Sequence, residues 1–142
     1  MSTSRHRTQI IVYSDDSTVR ASIIAALGHR VSDDLPEHEI LEFATGAALR
    51  VYADRRGSDG KCGADLFILD GEAVPEGGMG VARQLKDEVF ECPPVLVLTG
   101  RADDAWLAAW SRADGMLMHP IDPFTMANSV AKLLRSRSRA TA

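Results

Sequence analysis

Cysteine is almost missing from this 142-residue chain, with only Cys62 and Cys92 present. Two thiols so far apart in sequence indicate neither a disulfide framework nor a cysteine-based zinc site, and a reducing, cytoplasmic setting is expected. Aromatic residues are also scarce, at 6%. No apolar run approaches the ~18 residues of a membrane span, and the opening MSTSRHRTQ lacks the apolar stretch of a secretory signal. There is no glycine-rich phosphate loop and no serine-centred nucleophile elbow. Positive charge is in deficit, with 16 Lys and Arg against 20 Asp and Glu. The formal charge of −4 hides an asymmetry, because Arg5, Arg7, Arg135, Arg137 and Arg139 stand at the two ends. An acidic body argues against nucleic acid as the main partner, since phosphate contacts need a basic face. The RSRSR end reads as a solubilising tail.

What is present is an ordinary globular composition, 45% hydrophobic and 25% charged. The length fits one domain, large enough to bury roughly 70% of its unfolded surface without staples. Short apolar runs alternate with helix-periodic stretches. Strands are predicted at 10–13, 39–43, 65–70, 95–99 and 116–118, the central ones apolar throughout and so buried on both faces. Helices are predicted at 18–27 with Ser17 as N-cap, 46–56, 79–90, 103–112 and 123–135. The last has Pro at its first turn and an apolar stripe of Phe124, Ala127, Val130, Leu133 and Leu134. Five strands alternating with five helices give an α/β fold, a flavodoxin-like doubly wound parallel sheet of order 2-1-3-4-5.

In such a sheet the site lies outside the carboxyl ends of the strands. Those ends carry Ser14, Asp15 and Asp16, then Asp70, then Thr99 and Gly100, then His119. Clustered carboxylates suit a hard divalent cation, and Mg²⁺ with several waters is the natural choice. A carboxylate beside such an ion is a candidate phosphoryl acceptor, with a hydroxyl, a cation and a backbone amide around the equatorial oxygens. His6, His29 and His38 show no ligand spacing and are expected to be solvated.

Three segments resemble the receiver domain of two-component response regulators (CheY-like) over about residues 8–135. LFILDGEAVPEGGMGVARQLK looks like the family's phosphoacceptor segment, with Gly78 eight residues after Asp70; VLVLTG looks like its fourth strand, and ADGMLMHPIDPF like its fifth-strand motif. The resemblance implies Asp70 as phosphoacceptor, with Asp15 and the Glu72 carbonyl as Mg²⁺ ligands. It further implies Thr99 as the switch hydroxyl, the Gly100 amide as phosphoryl donor, and a cis His119–Pro120 bond. A sensor histidine kinase would be the phosphodonor and no enzyme activity is expected. With residues 1–7 and 136–142 read as flexible basic tails, no output domain is expected. Partners would then bind a face made of the fourth helix, fifth strand and fifth helix, marked by Trp106, Trp110, Met116 and Met118. A second copy of the chain is a further candidate partner. Trp106 and Trp110, four apart on one helical face, fit either that surface or the core.

Departures from the pattern weaken the site. Ser14 stands where the family has the first of two acids, unless a local slip makes Asp15 and Asp16 the pair. His119 replaces a lysine, Pro75 lies one place late, and Met116 replaces the aromatic coupled to the switch. Imidazole is mostly neutral at pH 7, where a lysine is charged. Two readings stay open: a response regulator phosphorylated at Asp70, and a phosphate-independent receiver-fold binding module. An aspartate-nucleophile phosphatase built on IIVY-DDST is a remote third, opposed by Ser17 where that chemistry needs a second acid.

Overall fold

Strands β1 (Thr8–Tyr13), β3 (Leu66–Asp70) and β4 (Val95–Thr99) are apolar almost throughout because both of their faces are covered. In the computed structural model, which describes residues 7–57, 59–100 and 109–141, they form the centre of one parallel sheet. Its edges are β2 (His38–Phe43) and β5 (Gly115–Met118), giving the order β2-β1-β3-β4-β5. The predicted strand order is the observed one. Successive side chains of each strand point to opposite faces. Ile11, Tyr13, Phe67, Leu69, Val95 and Val97 therefore pack against helices α2 (Gly46–Asp54) and α3 (Gly78–Glu88). Ile10, Val12, Leu66, Ile68, Leu96 and Leu98 pack on the other face against α1 (Ser17–Leu27) and α4 (Pro123–Thr141).

Caps explain where the helices begin. Asp16, not Ser17, is the N-cap of α1 and accepts the Thr18 amide; its carboxylate reaches two residues ahead, as an N-cap's does. The chain leaves α1 through Gly28 at φ 54°, a left-handed conformation that favours glycine. Asp122 accepts the Thr125 amide at 2.8 Å in front of Pro123, and so caps α4.

Four helices lie among the described residues. Of the predicted helix at 103–112 only residues 109–112 are described, and Trp106 lies outside them. The last helix runs to Thr141, past its expected end at Arg135 and through most of the expected tail. No Gly or Pro interrupts the arginine-rich end, and the side chains there are engaged: Arg135 forks onto Asp34 at 2.8 Å, and Arg137 lies 3.5 Å from Asp65. Phe124 is not in the stripe but 80% exposed; Met126, at 0%, faces the sheet in its place. His38 is also not solvated: it is buried, with Nε2 bonded to the Gly28 carbonyl at 2.7 Å. No helix among the described residues is long and apolar enough to cross a membrane.

Candidate functional site

Register decides what meets at the carboxyl edge. Tyr13 pairs with Leu69, Asp70 with Leu98, and Thr99 with Met118. The residues at and just beyond those positions therefore stand side by side, and four elements contribute to one cleft of about 390 Å³. Asp15, Asp16, Val19, Asp70, Glu72, Val74, Gly100 and His119 line it.

Asp70 sits at the bottom, 3% exposed. Its carboxylate accepts three protein donors: the Ser14 hydroxyl on Oδ2 at 2.7 Å, and on Oδ1 the Glu72 amide at 2.9 Å and His119 Nε2 at 3.1 Å. Facing a carboxylate, Nε2 must carry the hydrogen. A buried charge needs such donors, and here Ser14 supplies one from the place where the resemblance expects an acid. Ser14 is itself buried and fixed on every side. Its oxygen accepts the Asp16 amide at 3.1 Å, and its carbonyl accepts Arg20 Nη1 at 2.6 Å. Arg20 is a positioning residue that the sequence reading missed; it lies four places beyond an Asp N-cap, where a basic residue on a helix carries no local signal. Asp16 lines the cleft beside Asp15, and its Oδ1 also accepts the Thr18 amide at 2.8 Å as the cap of α1.

Asp15 is exposed and its Oδ1 accepts the Val74 amide at 3.0 Å. It thereby ties the loop after Asp70 to β1. Two more contacts hold that loop: the Tyr13 hydroxyl donates to the Glu76 carbonyl at 2.6 Å, and Arg50 forks onto the Glu76 carboxylate at 2.7 and 3.0 Å. Burial, with the nearby Glu76 and Asp15 charges, pushes the Tyr13 phenol above its ordinary range. Arg50 holds Glu76 below the usual carboxylate range. The Val74–Pro75 and His119–Pro120 bonds are both cis, the second as expected. Thr99 is fully buried and its carbonyl accepts the His119 amide at 2.9 Å. The Gly100 amide points to Glu72 Oε2 at 3.4 Å.

These donors test the expected Mg²⁺ site. Mg²⁺ demands near-octahedral oxygen ligands and gives up its waters reluctantly. Both Asp70 oxygens and one of Asp15 already face protein donors. Among the described residues, no three His, Cys, Asp or Glu side chains are grouped to hold a metal ion. As arranged, the expected side-chain ligands Asp15 and Asp70 are partly engaged by protein donors, which leaves a magnesium ion fewer free lone pairs.

The remaining candidates lie away from the cleft. Trp110 is 47% exposed, not core, with the Arg83 guanidinium 5.2 Å over its ring. Met118 is 46% exposed, while Met116 is half-buried in β5. A second cleft, about 330 Å³, opens beside Cys92 at the opposite edge; its Lys86 is paired with Asp114 at 2.6 Å. Burial raises the Cys92 thiol to about 11.

No family model matches the chain. It is, however, 51% identical over 128 residues to uncharacterized response regulatory proteins of two Mycobacterium tuberculosis strains, covering 90% of this chain and 92% of theirs. The chain belongs to the response regulator family. Solved receiver domains share its fold. One is a CheY-like receiver protein from Methanospirillum hungatei JF-1, at TM-score 0.71 and 16% identity over 94% of this chain and 98% of that one. Another is the receiver domain of a putative Luxo repressor protein from Vibrio parahaemolyticus, at TM-score 0.73 and 20% identity over 95% of both. Within this receiver fold, Asp70, Thr99, Gly100 and His119 are the residues that the sheet brings together.

Proposed function

We propose that this response regulator is an atypical signalling receiver that acts by binding another protein, with Asp70 as a phosphoacceptor of low reactivity. The observation carrying this reading is the convergence of Asp70, Gly100 and His119 on one open cleft. An Asp70 oxygen would attack the phosphorus of a phosphohistidine on a sensor kinase. The new O–P bond forms as the N–P bond breaks, and the departing imidazole takes a proton from water. His119 and the Gly100 amide, which line the same cleft, are the donors that would face the developing negative charge. Reactivity is low because the nucleophile is bonded to Ser14, Glu72 and His119, and because magnesium binds poorly to this donor set.

The Ser14–Asp70 bond also favours a second reading, signalling without phosphate, since it holds the acceptor in a satisfied state. Intact-mass measurement after incubation with Mg²⁺ and acetyl phosphate separates the two. Slow, partial addition of one phosphate, lost in Asp70→Asn, supports the first reading. No adduct under any condition leaves the phosphate-independent module. In either case the surface that we assign to partners carries Trp110, Met118 and Phe124, three large apolar side chains left exposed.

A further inference from the structure

The Glu72 side chain folds back over the cleft in a way that the receiver reading does not require. Its backbone amide is bonded to Asp70, which fixes residue 72 beside the acceptor. Its carboxylate then crosses to the neighbouring strand end, where Oε2 accepts the Gly100 amide at 3.4 Å. The approach is close: a methyl group built on Gly100 would lie 3.0 Å from both Cδ and Oε1 of Glu72, and its three nearest neighbours are all atoms of that carboxyl group. A resident anion thus rests on the amide that an oxyanion carried by Asp70 would use.

We propose that Glu72 is an internal competitor that keeps phosphate-class oxyanions off the Gly100 amide until its side chain swings away. Two physical effects act together. The amide's single hydrogen is already engaged, so an arriving oxyanion gains no bond there until Glu72 leaves. The carboxylate also adds negative charge to a cleft that already holds Asp15, Asp16 and Asp70, and like charges at close range repel. Glu72 is exposed, so it can turn into solvent without unfolding anything. The proposal deepens the reading of Asp70 as phosphoacceptor and, in its covalent arm, rests on it.

The test compares wild type with Glu72→Ala and Glu72→Gln in two measurements. In the first, inorganic phosphate is titrated at millimolar concentration while the Gly100 amide is followed by NMR. A phosphate-dependent shift is expected in Glu72→Ala and none in wild type, with Glu72→Gln in between because it keeps an acceptor but loses the charge. In the second, phosphate addition from acetyl phosphate is timed by intact mass, and Glu72→Ala should gain it about fivefold faster or more, the order expected from freeing one hydrogen bond. A phosphate-dependent Gly100 shift in Glu72→Ala with no adduct in any protein would uphold the competitor and sink the Asp70 reading. Adducts forming at equal rates in all three proteins, or a Gly100 amide indifferent to the Glu72 substitutions, would overturn the competitor and leave Asp70 standing.

Discussion

Ser14 is the residue on which the site turns. Its hydroxyl donates to a buried carboxylate, and its oxygen accepts the Asp16 amide. Hydrogen bonds to charged groups contribute about 1.5–3 kcal/mol, so Ser14→Ala should lower stability by about 2 kcal/mol. Urea unfolding would show this as a lower midpoint with an unchanged slope, and an unmoved midpoint would mean that Asp70 finds another donor. Ser14→Asp should behave differently. It sets two carboxylates together where one now has a donor, so the folded protein should weaken without Mg²⁺ and regain melting temperature as Mg²⁺ is added, which wild type should not do. The substitution of an acid by Ser14 could be read directly from the order of residues after β1. That the hydroxyl would bond Asp70, rather than face an empty space, could not, because the contact joins residues 56 positions apart. The Asp16 cap was missed for a smaller reason: Asp16 and Ser17 are both good caps, and only the backbone geometry chooses between them.

At the scale of elements, α3 holds two glycines, of which the resemblance marks only Gly78, and their surroundings differ. A Cβ on Gly78 would lie 2.7 Å from the carbonyl carbon and oxygen of Asp70, which are main-chain atoms unable to give way. A Cβ on Gly80 meets nothing within 4 Å. Gly78→Ala should therefore cost about 3 kcal/mol through overpacking and push the helix off the acceptor strand. Gly80→Ala should raise stability by about 0.5–1 kcal/mol through helix propensity. Thermal melts of the two variants should move in opposite directions, and a shared direction would contradict the packing described here. Strands were the most readable elements, because β1, β3 and β4 need apolar residues on both faces and little else fits there. Helix ends were less so. Of the stripe expected on α4, Val130, Leu133 and Leu134 pack on the sheet, whereas Phe124, in the first turn, faces solvent and Met126 joins the core. In the last turns of α4, Arg135 and Arg137 meet Asp34 and Asp65, which the chain brings alongside only once folded.

For the whole molecule, the distribution of protons decides how stability should change with pH. His38 is buried at the start of the edge strand β2, with Nε2 on the Gly28 carbonyl and, among the described residues, no partner for Nδ1. Burial pushes its pKa below the ordinary 6.5. Above pH 6.5 the ring is neutral in both folded and unfolded chains, and its contribution is complete. Below it the unfolded chain takes up a proton that the folded protein resists, so stability falls with pH until the folded pKa is passed. A second loss comes from carboxylates held below their ordinary 3.8 to 4.5 by donors: Glu76 by Arg50, Asp87 by Arg112, Asp34 by Arg135 and Asp122 by Thr125. Their contribution is present above those ordinary values and disappears as the pH drops through the lower folded ones. The denaturant midpoint should thus decline in two stages, a first below pH 6.5 and a second below about 4.5. His38→Gln keeps a donor for Gly28 but cannot titrate, so it should erase the first stage and leave the second. Arg50→Ala, which frees Glu76, should shrink the second and leave the first. A wild-type curve that is flat from pH 7.5 to 5, or a first stage that survives in His38→Gln, would show that the buried imidazole does not set the response to acid.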